Sequence, residues 1–184
     1  AYIDYSKGSS GELRGVVMSH RTVINQMKML DKILSTSPNI VSPLTRSTLK
    51  STRPKNSILS TLDVRGSIGL IFSMLFTVYS GNLFIWLQSK TAEVPGLYAN
   101  MLSCYRSSIT LTDYFTLKNV VYNYQSFPQN TRTFSKKKVD LSPLCWCLID
   151  SSTVDCEFNE ILSDRWLKPL GSKHSKRIIS PILT

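Results

Sequence analysis

The stretch "YSKGSSGELRGVVMSH", Tyr5 to His20, decides how the rest of the chain is interpreted. A short apolar segment, residues 1–5, leads into three glycines separated by hydroxyl side chains, and a helical pattern begins after Ser19. Glycine lets backbone amides approach an anion closely, while serine hydroxyls and an arginine add donors and positive charge. In a strand-loop-helix setting, these features are typical of a phosphate-binding loop.

Two standard phosphate motifs do not match this loop. No Gly-Lys-Ser/Thr sequence closes it, as a Walker loop requires, and Gly8, Gly11 and Gly15 lack the G-x-G-x-x-G spacing of a dinucleotide-binding fold. Glycine and serine together are also typical of a mobile surface turn. Residue type alone therefore leaves both interpretations open.

The order of the residues resembles the signature loop of the acyl-adenylate-forming enzymes, approximately "YTSGSTGxPKGVxxSH". Lys7 stands where that family usually has a small hydroxyl residue, and Leu13 where it usually has proline. The resemblance implies that the loop binds the phosphates of ATP, with Mg²⁺, while a carboxylate attacks the α-phosphorus to form an acyl-AMP. It also implies the following nucleotide-binding residues: Ser6, Lys7, Gly8, Ser9, Ser10, Gly11, Arg14, Gly15 and His20. A solvated residue near the helix start is the alternative for His20.

A second segment, residues 58–87, resembles the fatty-acyl-AMP ligase-type members of the same superfamily. Gly66 and Ser67 occupy the positions of the family's His-Asp pair, and Asp63 takes the place of its first proline. The resemblance is greatest to the fungal branch of the disco-interacting protein family, which has tandem adenylate-forming-like domains and is associated with lipid metabolism. The resemblance implies that the catalytic lysine of the C-terminal subdomain lies outside this chain.

Composition indicates one ordered domain, residues 1–184, with enough apolar side chains for a core, since 42% of the residues are hydrophobic. The chain lacks an initiator methionine, and we expect it to be part of a larger multidomain protein. No apolar run reaches the roughly 18 residues of a membrane span, and no basic-then-apolar leader opens the sequence. The four cysteines do not form a secreted disulfide pattern, so we expect an intracellular protein, cytoplasmic or peripheral to an organelle membrane.

The net charge of +10 predicts attraction to polyanions. The basic clusters, residues 136–138 and 173–177, are expected in solvated loops without an aromatic surface for reading nucleic acid. We therefore predict no specific nucleic-acid partner. The same loops allow peripheral contact with a membrane.

The remaining pattern predicts an α/β fold. Apolar strands separated by amphipathic helices indicate a mostly parallel sheet flanked by helices on both faces, as in the large N-terminal domain of an adenylate-forming enzyme. The predicted strands cover residues 57–62, 82–88, 108–113 and 144–150, and the predicted helices 19–34, 67–79, 95–106, 114–124 and 155–170. Two polar segments, 35–56 and 126–143, are predicted to be flexible insertions.

Three other residues invite a functional interpretation. Cys145 and Cys147 share a strand face, but zinc needs four ligands, so we interpret them as core residues. Asp150 ends a strand at the edge where ligands of such sheets bind, and it could equally cap the following turn. No G-x-S-x-G motif supports a hydrolase.

Two classes of function follow. In the first, the chain is a fragment of a ligase that binds ATP and activates a fatty acyl carboxylate, and it is inactive in isolation. In the second, it is a degenerate adenylation-fold module that binds a lipid or a protein without turnover. The retained glycine loop favours the first class, and the replaced His-Asp pair favours the second.

Overall fold

The structure, a computed structural model, describes residues 1–35, 56–127 and 138–183. The chain divides into two units, residues 1–36 and 37–184, which we describe separately. In the first unit, strand β1 (Tyr2–Lys7) pairs antiparallel with β2 (Leu13–Met18), and helix α1 (His20–Ser35) follows. The predicted strand-loop-helix order is therefore wrong, because a second strand lies between the glycine loop and the helix. The loop is the turn of a β-hairpin.

Helix α1 begins as the sequence predicts. The backbone amide of Thr22 donates a hydrogen bond to the Ser19 hydroxyl at 3.1 Å, which is the contact of an N-cap residue. Met27, Leu30 and Leu34 are buried along one face of the helix. The spacing of Val23, Met27, Leu30 and Leu34 predicts one apolar stripe, and this stripe is confirmed, with Val23 half-buried.

The second unit contains a five-stranded sheet with all strands parallel, in the order β4-β3-β5-β6-β7. Its strands are β3 (Ser57–Ser60), β4 (Leu83–Trp86), β5 (Ile109–Asp113), β6 (Trp146–Ser151) and β7 (Ile179–Leu183). Its helical segments are a π-helix (Gly69–Leu75) that continues into α2 (Phe76–Ser80), α3 (Ser89–Ala92), α4 (Leu97–Cys104), α5 (Tyr114–Ser126), α6 (Cys156–Leu162) with a second π-helix (Ser163–Leu167), and α7 (Ser175–Ile178). The predicted α/β class with a mostly parallel, helix-flanked sheet is confirmed.

The central strands are buried on both faces. Leu59 and Cys147 lie on one face and pack into the main core with the helices α4, α5 and α6. Leu111 and Leu148, which are neighbours in register, are buried on the opposite face. Strand β5 alternates Ile109 and Leu111 with Thr110 and Thr112, and all four residues are buried. Burial on both faces is typical of a parallel sheet that is covered by helices.

Several elements differ from the sequence prediction. Strand β7 and the short helices α3 and α7 were missed, and α7 places Lys176 and Arg177 on a helix rather than in a loop. Strand β7 is hard to predict from the sequence because it contains Pro181, and proline cannot donate a hydrogen bond to a neighbouring strand. Proline is tolerated at a sheet edge, which is where β7 lies. The spacing of Phe158, Ile161, Leu162 and Trp166 predicts that all four face inward from the helix at 155–170, but Ile161 is 41% exposed.

The two predicted insertions lie mostly outside the described residues. Ser35 is the last residue of α1, and Ser126 is the last residue of α5. Val139 and Leu141 are buried, so the second polar segment ends earlier than predicted. Of the basic cluster at 136–138, only Lys138 is described, and it is exposed. Among the described residues, no helix has the length and hydropathy needed to cross a membrane.

Trp166 provides a test of the core. Its ring stacks on Tyr98 with a centroid distance of 6.1 Å, and it is fully buried. We expect Trp166→Ala to lower the free energy of unfolding by about 3–5 kcal/mol. The substitution loses the transfer free energy of the buried indole ring and leaves a cavity in the core. Chemical denaturation measures this change. Tyr122→Ala, at a position 68% exposed on α5, is the control and should change the stability little; equal losses in the two variants would contradict this core.

Candidate functional site: a glycine turn and two carboxyl-edge clefts

The turn between β1 and β2 is closed by its own backbone. The amide of Gly8 donates to the carbonyl oxygen of Glu12 at 2.9 Å, and the amide of Gly11 donates to the carbonyl oxygen of Gly8 at 2.9 Å. Gly11 has a φ of +81°, in the left-handed region that favours glycine. These contacts fix the course of the chain through the turn.

Two amides within the turn stay available to a ligand. In the described parts of the chain, the amides of Ser9 and Ser10 have no hydrogen-bond acceptor, and both residues are exposed. A Cβ added at Gly8 would lie 3.7 Å from Nε of Arg14 and 3.9 Å from Oγ of Ser10. The guanidinium, the hydroxyl and the open amides therefore surround the same short piece of backbone. This is the chemistry of an anion-binding concavity.

The remaining predicted residues of this loop lie along the hairpin. Ser6 faces Arg14 in the strand register, and Lys7 ends β1. Gly15 lies opposite Tyr5, where an added Cβ would come within 3.1 Å of Ile3 and 3.2 Å of Tyr5. Gly15 therefore permits close packing across the ribbon rather than an approach to phosphate.

His20 is at the other end of the hairpin from the turn. It is the first residue of α1 and follows the paired end of the strands, where Tyr2 faces Met18. Strands of this length span about 20 Å, so the imidazole and the turn cannot contact the same phosphate group. The structure brings the residues from Ser6 to Arg14 together and leaves His20 apart from them.

In the second unit, a cleft opens at the carboxyl ends of β3, β4 and β5. Its volume is about 720 Å³, within the range of small-molecule sites. It is lined by Thr61, Leu62, Asp63, Val64, Arg65, Trp86, Gln88, Ser89 and Asp113. The residues contributed by the end of β4 were not predicted from the sequence, although ligands generally bind beyond the carboxyl ends of parallel strands.

Hydrogen bonds hold the walls of this cleft in place. Asp113 caps α5, accepting from the amide of Thr116 at 2.7 Å and from its hydroxyl at 3.1 Å. The hydroxyls of Ser89 and Thr116 are 2.8 Å apart, and Nε1 of Trp86 donates to the carbonyl oxygen of Leu62 at 3.0 Å. The cleft is thus preformed.

An exposed ion pair stands beside the cleft. A guanidinium nitrogen of Arg65 lies 2.6 Å from a carboxylate oxygen of Asp63. This hydrogen-bonded contact lowers the pKa of Asp63 to about 2. Asp63 therefore stays ionised near neutral pH and cannot act there as a general acid.

A second, smaller cleft contains the replaced His-Asp positions. Gly66 and Ser67 line it together with Asp150, and its volume is about 280 Å³. The chain has two histidines, His20 in the first unit and His174 before α7, so no imidazole of the second unit lines this cleft. Asp150 lies at this edge as predicted, although its role is open.

Cys147 belongs to the core, in agreement with the sequence interpretation. It is fully buried, and burial raises the pKa of its thiol to about 12. A thiol of this kind stays protonated and unreactive near neutral pH.

The parallel sheet and its flanking helices have the fold of an adenylate-forming ligase domain. This chain is similar to a fatty acyl-adenylate ligase from Legionella pneumophila, solved in complex with acyl adenylate and pyrophosphate, with a TM-score of 0.65 and 18% sequence identity. The match covers 93% of this chain and 26% of the ligase chain. It is also similar to the adenylation domain of a keto acid-selecting NRPS module bound to keto acyl adenylate, with a TM-score of 0.71 and 16% sequence identity. That match covers 99% of this chain and 29% of the NRPS chain. Identities this low establish the shared fold and not a shared reaction.

In sequence, the chain is similar to two fungal proteins. It is 45% identical over 190 residues to an uncharacterized protein of Schizosaccharomyces pombe, and 36% identical over 194 residues to a Saccharomyces cerevisiae protein named Homeostatic regulator of DAG. Both alignments cover the whole chain but 12% of the relative's length. No family model matches the chain. The predicted similarity to fungal proteins is confirmed, whereas the disco-interacting protein family stays a prediction.

Proposed function

We propose that this chain is one segment of a longer, adenylate-forming ligase-like protein, and that its hairpin turn binds the phosphates of ATP. The observation that carries the proposal is the pair of open amides at Ser9 and Ser10, with the Arg14 guanidinium beside them. Backbone amides that converge in a left-handed turn suit a phosphate, and a guanidinium adds charge-assisted hydrogen bonds.

In the reaction that we propose for the longer protein, a fatty acyl carboxylate oxygen attacks the α-phosphorus of ATP. The new oxygen–phosphorus bond gives the acyl-AMP, and the bond to the bridging oxygen breaks to release pyrophosphate. The turn would hold the phosphates and stabilise the negative charge that shifts onto the leaving group, which is catalysis by positioning and electrostatics. The remaining groups would come from other segments of the polypeptide.

Mg²⁺ fits this proposal as an ion carried by the nucleotide. Among the described residues, no group of three or more His, Cys, Asp and Glu side chains could hold a metal. Mg²⁺ commonly takes most of its ligands from substrate phosphates and water, with one or two carboxylates from the protein. When bound, it would neutralise phosphate charge, and Glu12 in the turn is a candidate ligand.

A second function is supported by the smaller cleft. Glycine and serine at positions 66 and 67 offer neither an imidazole nor a carboxylate for acid-base chemistry. The domain would then bind a nucleotide or a lipid without turnover, in a regulatory role. The Saccharomyces cerevisiae relative is named Homeostatic regulator of DAG, which is consistent with a regulatory role.

Binding of ATP tests the first proposal. We expect isothermal titration of the chain with ATP and Mg²⁺ to give a saturable signal that Arg14→Ala weakens about tenfold or more, because a charge-assisted hydrogen bond is lost. Gly11→Val should abolish the signal, since valine is strained at a φ of +81°. Lys28→Ala, at an exposed position on α1, is the matched control and should bind like the unchanged chain. Absence of heat, or equal affinity in all four proteins, would remove the ATP proposal.

Restoring the family's His-Asp pair separates the two functions. An added Cβ at Gly66 would meet its nearest neighbour, the carbonyl oxygen of Asp63, at 3.4 Å, so a side chain fits there. In the full-length parent polypeptide, we expect Gly66→His with Ser67→Asp to raise fatty-acid-dependent exchange of pyrophosphate into ATP about 100-fold, by supplying acid-base groups.

The control is Gly66→Asn with Ser67→Asn, which adds polar side chains of similar reach without an acid or a base at neutral pH. If pyrophosphate exchange rises in the His-Asp variant and not in the Asn-Asn variant, the result supports a ligase with a weakened site. If the parent binds ATP but neither it nor the His-Asp variant catalyses exchange, the domain is the non-catalytic module.

A further inference from the structure

A cluster of basic residues in the second unit forms a cleft that the proposed nucleotide site does not use. Its volume is about 390 Å³. It is lined by Asp164, Lys168, Lys173, His174, Ser175, Lys176 and Arg177. Four permanent cations thus share one cleft with a single carboxylate.

Within residues 1–35, 56–127 and 138–183, none of the four cations of this cleft forms an ion pair. Like charges that are close together repel, so the cluster is more stable when an anion occupies it. Lys168, Lys173, Lys176 and Arg177 are all exposed and accessible to such an anion.

The backbone that carries the cluster is fixed by the core. The amide of Ser172 donates to the carbonyl oxygen of Leu167 at 3.0 Å, and the amide of Leu141 donates to that of Leu170 at 2.8 Å. The Ser163 hydroxyl donates to the Ser175 hydroxyl at 2.8 Å, and both residues are buried. Because these positions are held before any ligand arrives, less entropy is lost on binding than in a mobile loop.

The cleft lies at the amino edge of the parallel sheet. Helix α7 ends where β7 begins, and Ile179 at the start of β7 faces Cys147 near the start of β6. The two clefts lined by Asp63 open at the carboxyl ends of the strands, at the opposite edge. An anion in the basic cleft is therefore a different ligand from any molecule bound in the two carboxyl-edge clefts.

We infer that this cleft binds the phosphomonoester headgroup of an anionic lipid at a membrane surface. A compact cleft with four cations suits one or two clustered phosphate groups, whereas a nucleic acid needs a basic stripe and exposed rings for stacking. No Phe, Tyr or Trp side chain lines the cleft, and His174 is the one ring there. Each lysine or arginine near an anionic membrane surface contributes to binding, so the four cations together suffice for reversible peripheral attachment.

The test is vesicle sedimentation with the 184-residue chain. The vesicles are phosphatidylcholine containing phosphatidic acid, or phosphatidylserine at equal surface charge. We expect the chain to bind the phosphatidic acid vesicles, and the combined Lys173→Ala, Lys176→Ala and Arg177→Ala variant to bind on the order of 100-fold more weakly, since each cation contributes about fivefold.

The matched control removes three exposed cations elsewhere, through Arg21→Ala, Lys28→Ala and Lys90→Ala, and it should keep its binding. Because all six positions are exposed, the melting temperature of both variants should match that of the unchanged chain. Equal losses in the two variants would show attraction by net charge and overturn the inference. Equal binding to the phosphatidylserine vesicles would overturn its phosphomonoester specificity.

Two further experiments distinguish a lipid headgroup from other ligands that carry phosphate groups. Inorganic phosphate is added as a competitor, and single-stranded RNA is tested as an alternative ligand. If phosphate at low concentration releases the chain from vesicles, or if RNA binds through the same three residues while vesicles do not, the ligand is not a lipid. Release only at high phosphate concentration supports the lipid assignment.

Discussion

The closure of one short turn is the constraint on which the functional account depends. The hydrogen bond from Gly8 to Glu12 and the left-handed backbone of Gly11 bend the chain so that the amides of Ser9 and Ser10 have no acceptor among the described residues. An amide without a partner tends to acquire one from water or from a ligand. Antiparallel pairing of β1 with β2 then places Arg14 next to this opening. On these donors rests the proposal that the turn binds a phosphate.

The polarity of the parallel sheet arranges the rest of the second unit. All five strands run in one direction, so the loops that follow them collect at one edge and those that precede them at the other. The carboxyl edge has an ion pair at Asp63 and Arg65, fixed hydroxyls and an acid at Asp113, which suit a polar ligand. The amino edge has unpaired cations, which suit an anionic surface. The fold therefore offers two chemically different surfaces at opposite edges of the sheet.

The sequence predicted the elements whose packing is local and regular. The apolar stripe of α1 and the burial of Phe158, Leu162 and Trp166 were predicted from helical spacing, although Trp166 lies in a π-helix. Strand β7 was missed because Pro181 breaks the usual strand pattern and because only pairing with β6 makes it a strand. The hairpin strand β2 was missed because Gly15 suggests a loop, whereas its missing side chain admits Ile3 and Tyr5 across the ribbon.

The candidate site was predicted only where its residues are adjacent in the sequence. The turn from Ser6 to Arg14 is a single segment, and its chemistry follows from residue order. The carboxyl-edge cleft joins Trp86 and Asp113 from different strands, which only the sheet topology brings together. His20 shows the converse, since its place in the motif suggested proximity to the phosphates but the length of the hairpin separates it from the turn.

Amide resonances of the turn provide the most direct measurement. In a nitrogen-15-labelled chain titrated with ATP and Mg²⁺, the account predicts that the amide protons of Ser9 and Ser10 shift downfield, as expected when they donate to phosphate oxygens, and that adenosine leaves them unchanged. Resonances at Ser9 and Ser10 that stay fixed while ATP binds elsewhere, or that move equally with adenosine, would contradict the assignment of this turn as the phosphate site.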